Sequence, residues 1–287
     1  MKYVVSEDLE FVLEQLTATC GFASPPEKSI AQLRNALKQK LQTIFGSAVE
    51  MVTAISMRDG IEAALTQVPA TPVSLDRLYV KCAHHIDMTR SVNMALCGCG
   101  ETERCGSAPL SVQVQALAAQ GINDITLIDD VIFSGNGIMR LTELCMTHGI
   151  AVRAVVVGIA IGEGEQKIAA HGIPVRAVYR YLRVIDEICE RDFYAGLPLS
   201  GRNVTEPTRN IGAPYFLPFG KPCEWASVPA EHVETFSQFC IQQNIKLWRA
   251  IEVASNTTIQ CGDLPRLPFG APCNGKPFVS YLESLLR

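Results

Sequence analysis

The 287-residue chain has no stretch approaching the about 18 consecutive apolar residues of a membrane-spanning helix. Its longest apolar run, Ala154 to Ile161, is the length of a buried strand. The first eight residues turn acidic without an apolar signal core, so the expectation is a cytoplasmic protein with no membrane attachment. There is no long basic run and the net charge is −4, which removes the electrostatic case for a nucleic-acid surface. No G-x-x-x-x-G-K-S/T loop and no G-x-G-x-x-G after a strand is found, which excludes a P-loop and a dinucleotide fingerprint. Paired C-x2-C spacings are also missing. With 48% hydrophobic and 19% charged residues, the composition is globular, for one large domain or two modest ones.

Cysteine is abundant. An odd count of eleven, without a signal segment, argues against a disulfide framework. Cys97, Cys99 and Cys105, with His84 and His85 upstream, are the one cluster with metal-ligand chemistry. Their C-x-C-x5-C spacing is unlike common zinc sites, so reduced loop thiols are the favoured reading and a metal site the rival.

Residues 1–45 read as helices: Leu9, Val12, Leu13 and Leu16, then Ile30, Leu33, Leu37 and Leu41, recur at helical spacing, with Pro25-Pro26 between. From 46 to 185, strands and helices alternate. Strands are expected at Val49–Ser56, Leu75–Cys82, Ile125–Ile128, Ala151–Ile161 and Val175–Tyr181. Met57-Arg58-Asp59-Gly60 reads as a turn before a short helix from Ile61 to Val68. Helices follow at Ser111–Gln120 and Gly137–His148, each with a glycine just beyond. This alternation specifies an α/β fold, a mainly parallel sheet of about five strands flanked by helices. Residues 83–109 have little periodicity and read as a long functional loop. From 186 to 287 the alternation stops. A helix is expected over Glu231–Ala254, flanked by the similar segments Leu217–Cys223 and Leu267–Cys273. These are either a duplicated unit or two unrelated Pro-rich turns.

The chemistry concentrates at Ile125–Gly137: an apolar strand, Asp129-Asp130, Val131-Ile132, then Phe133-Ser134-Gly135-Asn136-Gly137 opening a helix. Backbone N–H groups of a small-residue turn at a helix N-terminus converge on an anion. Two carboxylates beside it suit the hydroxyls of a sugar phosphate.

In these residues the chain resembles the type I phosphoribosyltransferase family, whose signature is four apolar residues, two acids, two apolar residues and a Thr/Ser/Gly-rich loop. Thr126, Phe133 and Gly137 depart from it, the last removing a phosphate-binding hydroxyl. The resemblance covers roughly 46–185. It implies a phosphoribosyltransferase-like core, with residues 1–45 and 186–287 supplying a hood over the base. It further implies transfer of a phosphoribosyl group between phosphoribosyl pyrophosphate (PRPP) and a nitrogenous base, assisted by magnesium held at Asp129 and Asp130, directly or through water.

By the same resemblance Asp129, Asp130 and Arg58 are catalytic. Asp129 to Gly137, with Arg58, Asp59, Gly60 and Lys81, bind PRPP. Arg90 and Arg104, in a flexible loop that also carries Glu101 and Glu103, reach the pyrophosphate. Phe193 and Tyr194 are candidates to stack the base, with core packing as the bland alternative. A homodimer is the default assembly. The alternative function is a catalytically silent PRPP- or nucleotide-binding regulator.

Overall fold

The computed structural model describes residues 1–205 and 209–286. In chain order come β1 (Lys2–Glu7), α1 (Leu9–Cys20), α2 (Glu27–Phe45), β2 (Val49–Thr53), α3 (Ala54–Leu65) and β3 (Thr71–Ser74). Then follow β4 (His84–His85), β5 (Met88–Val92), β6 (Gly98–Glu103), α4 (Leu110–Ala119), β7 (Asp124–Ile132) and α5 (Asn136–Thr147). Next are β8 (Ala151–Ile161), α6 (Gly162–Ala169), β9 (Val175–Tyr181), β10 (Val184–Cys189), β11 (Arg202–Val204) and β12 (Ile211–Ala213). The chain ends with α7 (Pro222–Trp225), α8 (Val233–Ser255), β13 (Leu267–Pro268) and α9 (Phe278–Glu283). Packing divides it into two units: Met1–Met51, Ser91–Gly98 and Ile185–Arg287, and Val52–Arg90 with Cys99–Val184. Among the described residues no helix is long and apolar enough to cross a membrane.

The second unit is α/β. Its sheet runs β4-β3-β7-β8-β9 with every neighbouring pair parallel. Parallel neighbours need crossovers, and α5 and α6 supply them between β7, β8 and β9. Val155 and Val157 of β8 pack with Val114 and Leu117 of α4 and Ile138 and Leu141 of α5. Successive strand residues point to opposite faces. Gly158 accordingly meets α3 on the other side, where a β-carbon on it would fall 2.2 Å from the Met57 methyl.

Three expectations fail in this unit, each for a local reason. Arg58, Asp59 and Gly60 are not a turn but the middle of α3. Thr53 caps that helix through its side chain, accepting from the Ser56 N–H, and Met57 and Ile61 are fully buried beneath it. Gly60 is the point where the helix presses on the sheet, since an added β-carbon would lie 2.6 Å from Val178. The strand expected at Leu75–Cys82 lies earlier, at Thr71–Ser74. Leu75 makes the last ladder bond, its N–H to Ile128 O at 2.8 Å, and Asp76 then turns the chain by accepting the Leu78 N–H. The segment 83–109 is not an aperiodic loop, because β4, β5 and β6 lie within it.

In the first unit, β1 stands between β10 and β2. Helix had been expected from the first residues. The opening is instead a strand because Tyr3, Val4 and Val5 are all fully buried, which erases the alternation that would mark it. The expected first core strand, β2, therefore joins this sheet and not the parallel one. The expected helical faces are realised: Leu9, Val12, Leu13 and Leu16 of α1 and Ile30, Leu33, Leu37 and Leu41 of α2 are buried. The two similar Pro-rich segments adopt different structures. Around Phe219 the chain turns into α7, whereas Leu267–Pro268 is a strand parallel to β12. The duplicated-unit reading thus finds no structural repeat.

A charged cluster lies within this unit. Arg34 donates through Nε and Nη2 to Glu190 Oε2 at 3.1 and 3.0 Å, and Arg191 pairs with Asp8. Burial, reinforced by Asp8 and opposed by Arg34, pushes the Glu190 carboxyl from 4.5 to about 7. A carboxyl raised on folding favours the protonated native state. Its stabilising contribution is complete below about pH 4.5 and lost as pH rises through about 7. Relative to Glu190→Gln, the wild-type chain should lose about 3 kcal/mol of unfolding free energy between pH 4.5 and pH 8. Urea unfolding of both proteins across that range checks this; parallel pH profiles would refute it.

Candidate functional site

The site is built on β7, a central strand of the parallel sheet, where ligands of such sheets bind beyond the carboxyl ends. The strand does not stop before the acids. It continues through Asp129 and Asp130 to Ile132, with Asp129 registered against Val157 and Ile132 against Ala160 of β8. The carboxylates therefore stand on paired backbone. Asp130 is 9% exposed and its Oδ1 accepts the Val131 N–H at 2.8 Å; Asp129 is half-buried and accepts the Asp130 N–H at 3.0 Å.

Beyond Ile132 the chain turns in three residues. Gly135 caps α5 at φ +73°, a left-handed conformation that side chains rarely adopt. The Asn136 N–H donates to Ser134 Oγ at 3.4 Å, and Lys167 of α6 donates to Asn136 Oδ1 at 2.7 Å. Helix α6 presses on this turn. A β-carbon on Gly164 would fall 2.4 Å from Phe133 O and 2.9 Å from Gly135 N. The first N–H groups of α5 have no carbonyl one turn earlier in the helix, and the helix dipole makes that end favourable for an anion.

Electrostatically the acids are not equivalent to a solvated strand end. Burial raises the Asp129 carboxyl well above the ordinary carboxylate range. Asp130 and Asp76 add to this, while the Asp130 N–H bond and Arg104 oppose it. Asp76, buried at the end of β3, was not singled out in the sequence. Its only signal there was an acid closing a short apolar run. Arg104 follows β6 and donates from Nη2 to Leu75 O at 3.3 Å. Asp87 braces the same region: its Oδ2 receives Arg77 at 2.5 Å and Ser107 at 2.8 Å, and its backbone O receives the Arg104 N–H at 3.0 Å.

Of the other expected residues, Arg58 and Asp59 pair with each other on α3 at 3.1 Å. Lys81 is exposed and outside any strand, and Arg90 is exposed on β5. Phe193 and Tyr194 are each 1% exposed, and Phe193 meets Phe236 edge-on at 5.4 Å. They are core residues of the first unit and present no face to a base. Phe133 stands 39% exposed beside the turn. Cys97, Cys99 and Cys105 are exposed and form no disulfide among the described residues. Among the described residues no three His, Cys, Asp or Glu groups are placed to hold a metal ion.

No protein-family model matches the chain, and no curated protein matches it in sequence. Solved structures match it in part. An APRTase from Giardia lamblia, complexed with 9-deazaadenine, is 17% identical over 45% of this chain and 80% of its own, with a TM-score of 0.28. Adenine phosphoribosyltransferase from Rhodothermus marinus is 14% identical over 44% of this chain and 77% of its own, with a TM-score of 0.28. Orotate phosphoribosyltransferase from Aeropyrum pernix is 14% identical over 52% and 71%, with a TM-score of 0.21. Scores this low carry no functional weight; what the site can do follows from its own residues. The matched structures are phosphoribosyltransferases, and the parallel α/β core of this chain carries Asp129–Gly137 at the end of β7 and the start of α5.

Proposed function

We propose that the chain transfers a phosphoribosyl group between PRPP and a nitrogenous base, with release of pyrophosphate in the forward direction. One observation carries this reading. The acid pair on β7 runs directly into a three-residue turn capped by Gly135 at the N-terminus of α5. That arrangement sets acceptors for ribose hydroxyls at the end of a strand whose next turn offers donors for a phosphate. The carboxylates of Asp129 and Asp130 accept the ribose hydroxyls, and the turn Phe133–Gly137 receives the 5-phosphate.

In the reaction the bond from C1 of the ribose to pyrophosphate breaks and its electron pair leaves with the pyrophosphate. The base nitrogen then forms the new bond to C1 through an oxocarbenium-like transition state. Arg104, whose charge acts on Asp129, is the cation proposed for the departing charge, together with Arg58. Asp129 and Asp130 would hold magnesium as a pair of carboxylates, with the rest of its oxygen shell supplied by ligand phosphate and water. When bound it neutralises developing charge on the pyrophosphate.

Because Asp129 is held toward its protonated form, ligand with magnesium should displace a proton from it. Titration calorimetry with PRPP and magnesium is expected to give heats that differ with buffer ionisation enthalpy, with affinity rising as pH rises through the Asp129 titration. No binding in clean protein at any pH would end this reading.

The second reading is a regulator that binds PRPP or a nucleotide without turnover. It is favoured by Gly137, where a hydroxyl residue would complete the phosphate contacts. Pyrophosphate release measured across purine, pyrimidine and pyridine bases separates the two: binding with no release for any base supports the regulator. Neither reading involves nucleic acid. The homodimer and the cytoplasmic location stay with the proposal.

A further inference from the structure

Glu101 lies on β6, remote in sequence from the anion cradle, yet its side chain ends there. Its carboxyl carbon is 3.0 Å, and its Oε1 3.1 Å, from the position a β-carbon on Gly137 would take. Gly137 is the second residue of α5, in the first turn, where the helix dipole draws negative charge. A second bond fixes this strand against the helix: Arg140 of α5 donates from Nη1 to the backbone O of Glu101 at 3.0 Å. A carboxylate of the chain itself thus rests against the helix end that would receive the ligand's phosphate.

We infer that Glu101 is a built-in competitor for the phosphate end of the ligand, so that β6 must release the N-terminus of α5 before PRPP is bound. This rests on the function proposed above and adds a regulation to it. Two observations meet in it. A phosphate and a carboxylate cannot share one helix end without strong like-charge repulsion. And one of the three residues at which this chain departs from the family pattern, Gly137, is the one whose missing side chain leaves room for the Glu101 carboxyl. A serine at 137 would meet that carboxyl closer than ordinary contact distance, so the glycine and the glutamate act as a pair. The Glu101 side chain and the strand end that carries it must move aside when a dianion arrives.

The test is calorimetry with PRPP and magnesium on the wild-type chain, Glu101→Gln and Asp130→Asn. The glutamine keeps the size and removes the charge. It is expected to bind on the order of tenfold more tightly than wild type, while Asp130→Asn binds far more weakly. Hydrogen exchange supplies a second readout: PRPP should speed exchange of the β6 amides in the wild-type chain and change them less in Glu101→Gln. Equal affinity of wild type and Glu101→Gln, or weaker binding by the variant, overturns the competitor and leaves the PRPP site standing. Absence of binding in all three proteins overturns both.

Discussion

Replacing Asp130 by asparagine should lower affinity for PRPP with magnesium by at least about a hundredfold while leaving the fold intact. The residue is 9% exposed, so a charge there is little screened by water. Its Oδ1 accepts the Val131 N–H, and an amide oxygen can accept that bond equally well. The expected loss is on the ligand. A carboxylate that accepts two ribose hydroxyls contributes charged hydrogen bonds of about 1.5–3 kcal/mol each. The asparagine keeps one acceptor oxygen and puts an uncharged NH2 donor in place of the other. Stability should hold or rise, since the variant removes one of the like charges that crowd Asp129. Calorimetry for binding and thermal unfolding for the fold measure the two effects separately. Undiminished affinity would show that the acids on β7 serve the strand and not a ligand.

Gly164→Val should be the most damaging single change near the site. A β-carbon there would lie 2.4 Å from the Phe133 carbonyl, 2.6 Å from the Ile132 side chain and 2.9 Å from the Gly135 amide. Two of these partners are backbone, which cannot rotate aside. Either α6 or the turn must shift, at a cost of about 1–3 kcal/mol or more for an overpacked contact. The shift would move the anion cradle itself, so PRPP affinity should fall along with stability. Gly98→Ala is the control. Nothing lies within 4 Å of the added carbon, and its effect should stay within about 0.5 kcal/mol. If Gly164→Val leaves both unfolding and PRPP binding unchanged, the tight seating of α6 on the turn has been misjudged.

The parts of this architecture legible in the sequence are those where pattern and packing agree. The faces of α1 and α2, the long strand β8 and the acid-to-glycine segment of β7 all follow local rules of period and turn chemistry. The misreadings share one cause, a tertiary contact invisible to local pattern. Arg58-Asp59-Gly60 carries the residues of a turn, but the glycine is there to let α3 approach Val178. Tyr3, Val4 and Val5 show no alternation because the strand is buried on both faces. The strands within 83–109 are short and polar, so their pairing partners, not their composition, define them. In the candidate site, the strand, turn and helix start that carry Asp129 to Gly137 were legible as structure. Asp76, Gly164 and the reach of Glu101 were not, because each is brought near the acids or the turn by a different strand or helix.

The placement of both acids on paired strand, and not on a flexible loop, has a kinetic consequence. Amides in the middle of a parallel sheet open only when a large cooperative unit opens, so this part of the binding surface is among the last to exchange with water. A ligand held by β7 would find its sugar contacts already rigid and would lose little entropy in organising them. Its residence time would then be governed by the peripheral strand β6, which contacts α5 through single side chains. Under the proposed function the molecule would separate a stationary floor, which sets what is recognised, from a movable wall, which sets how long it stays.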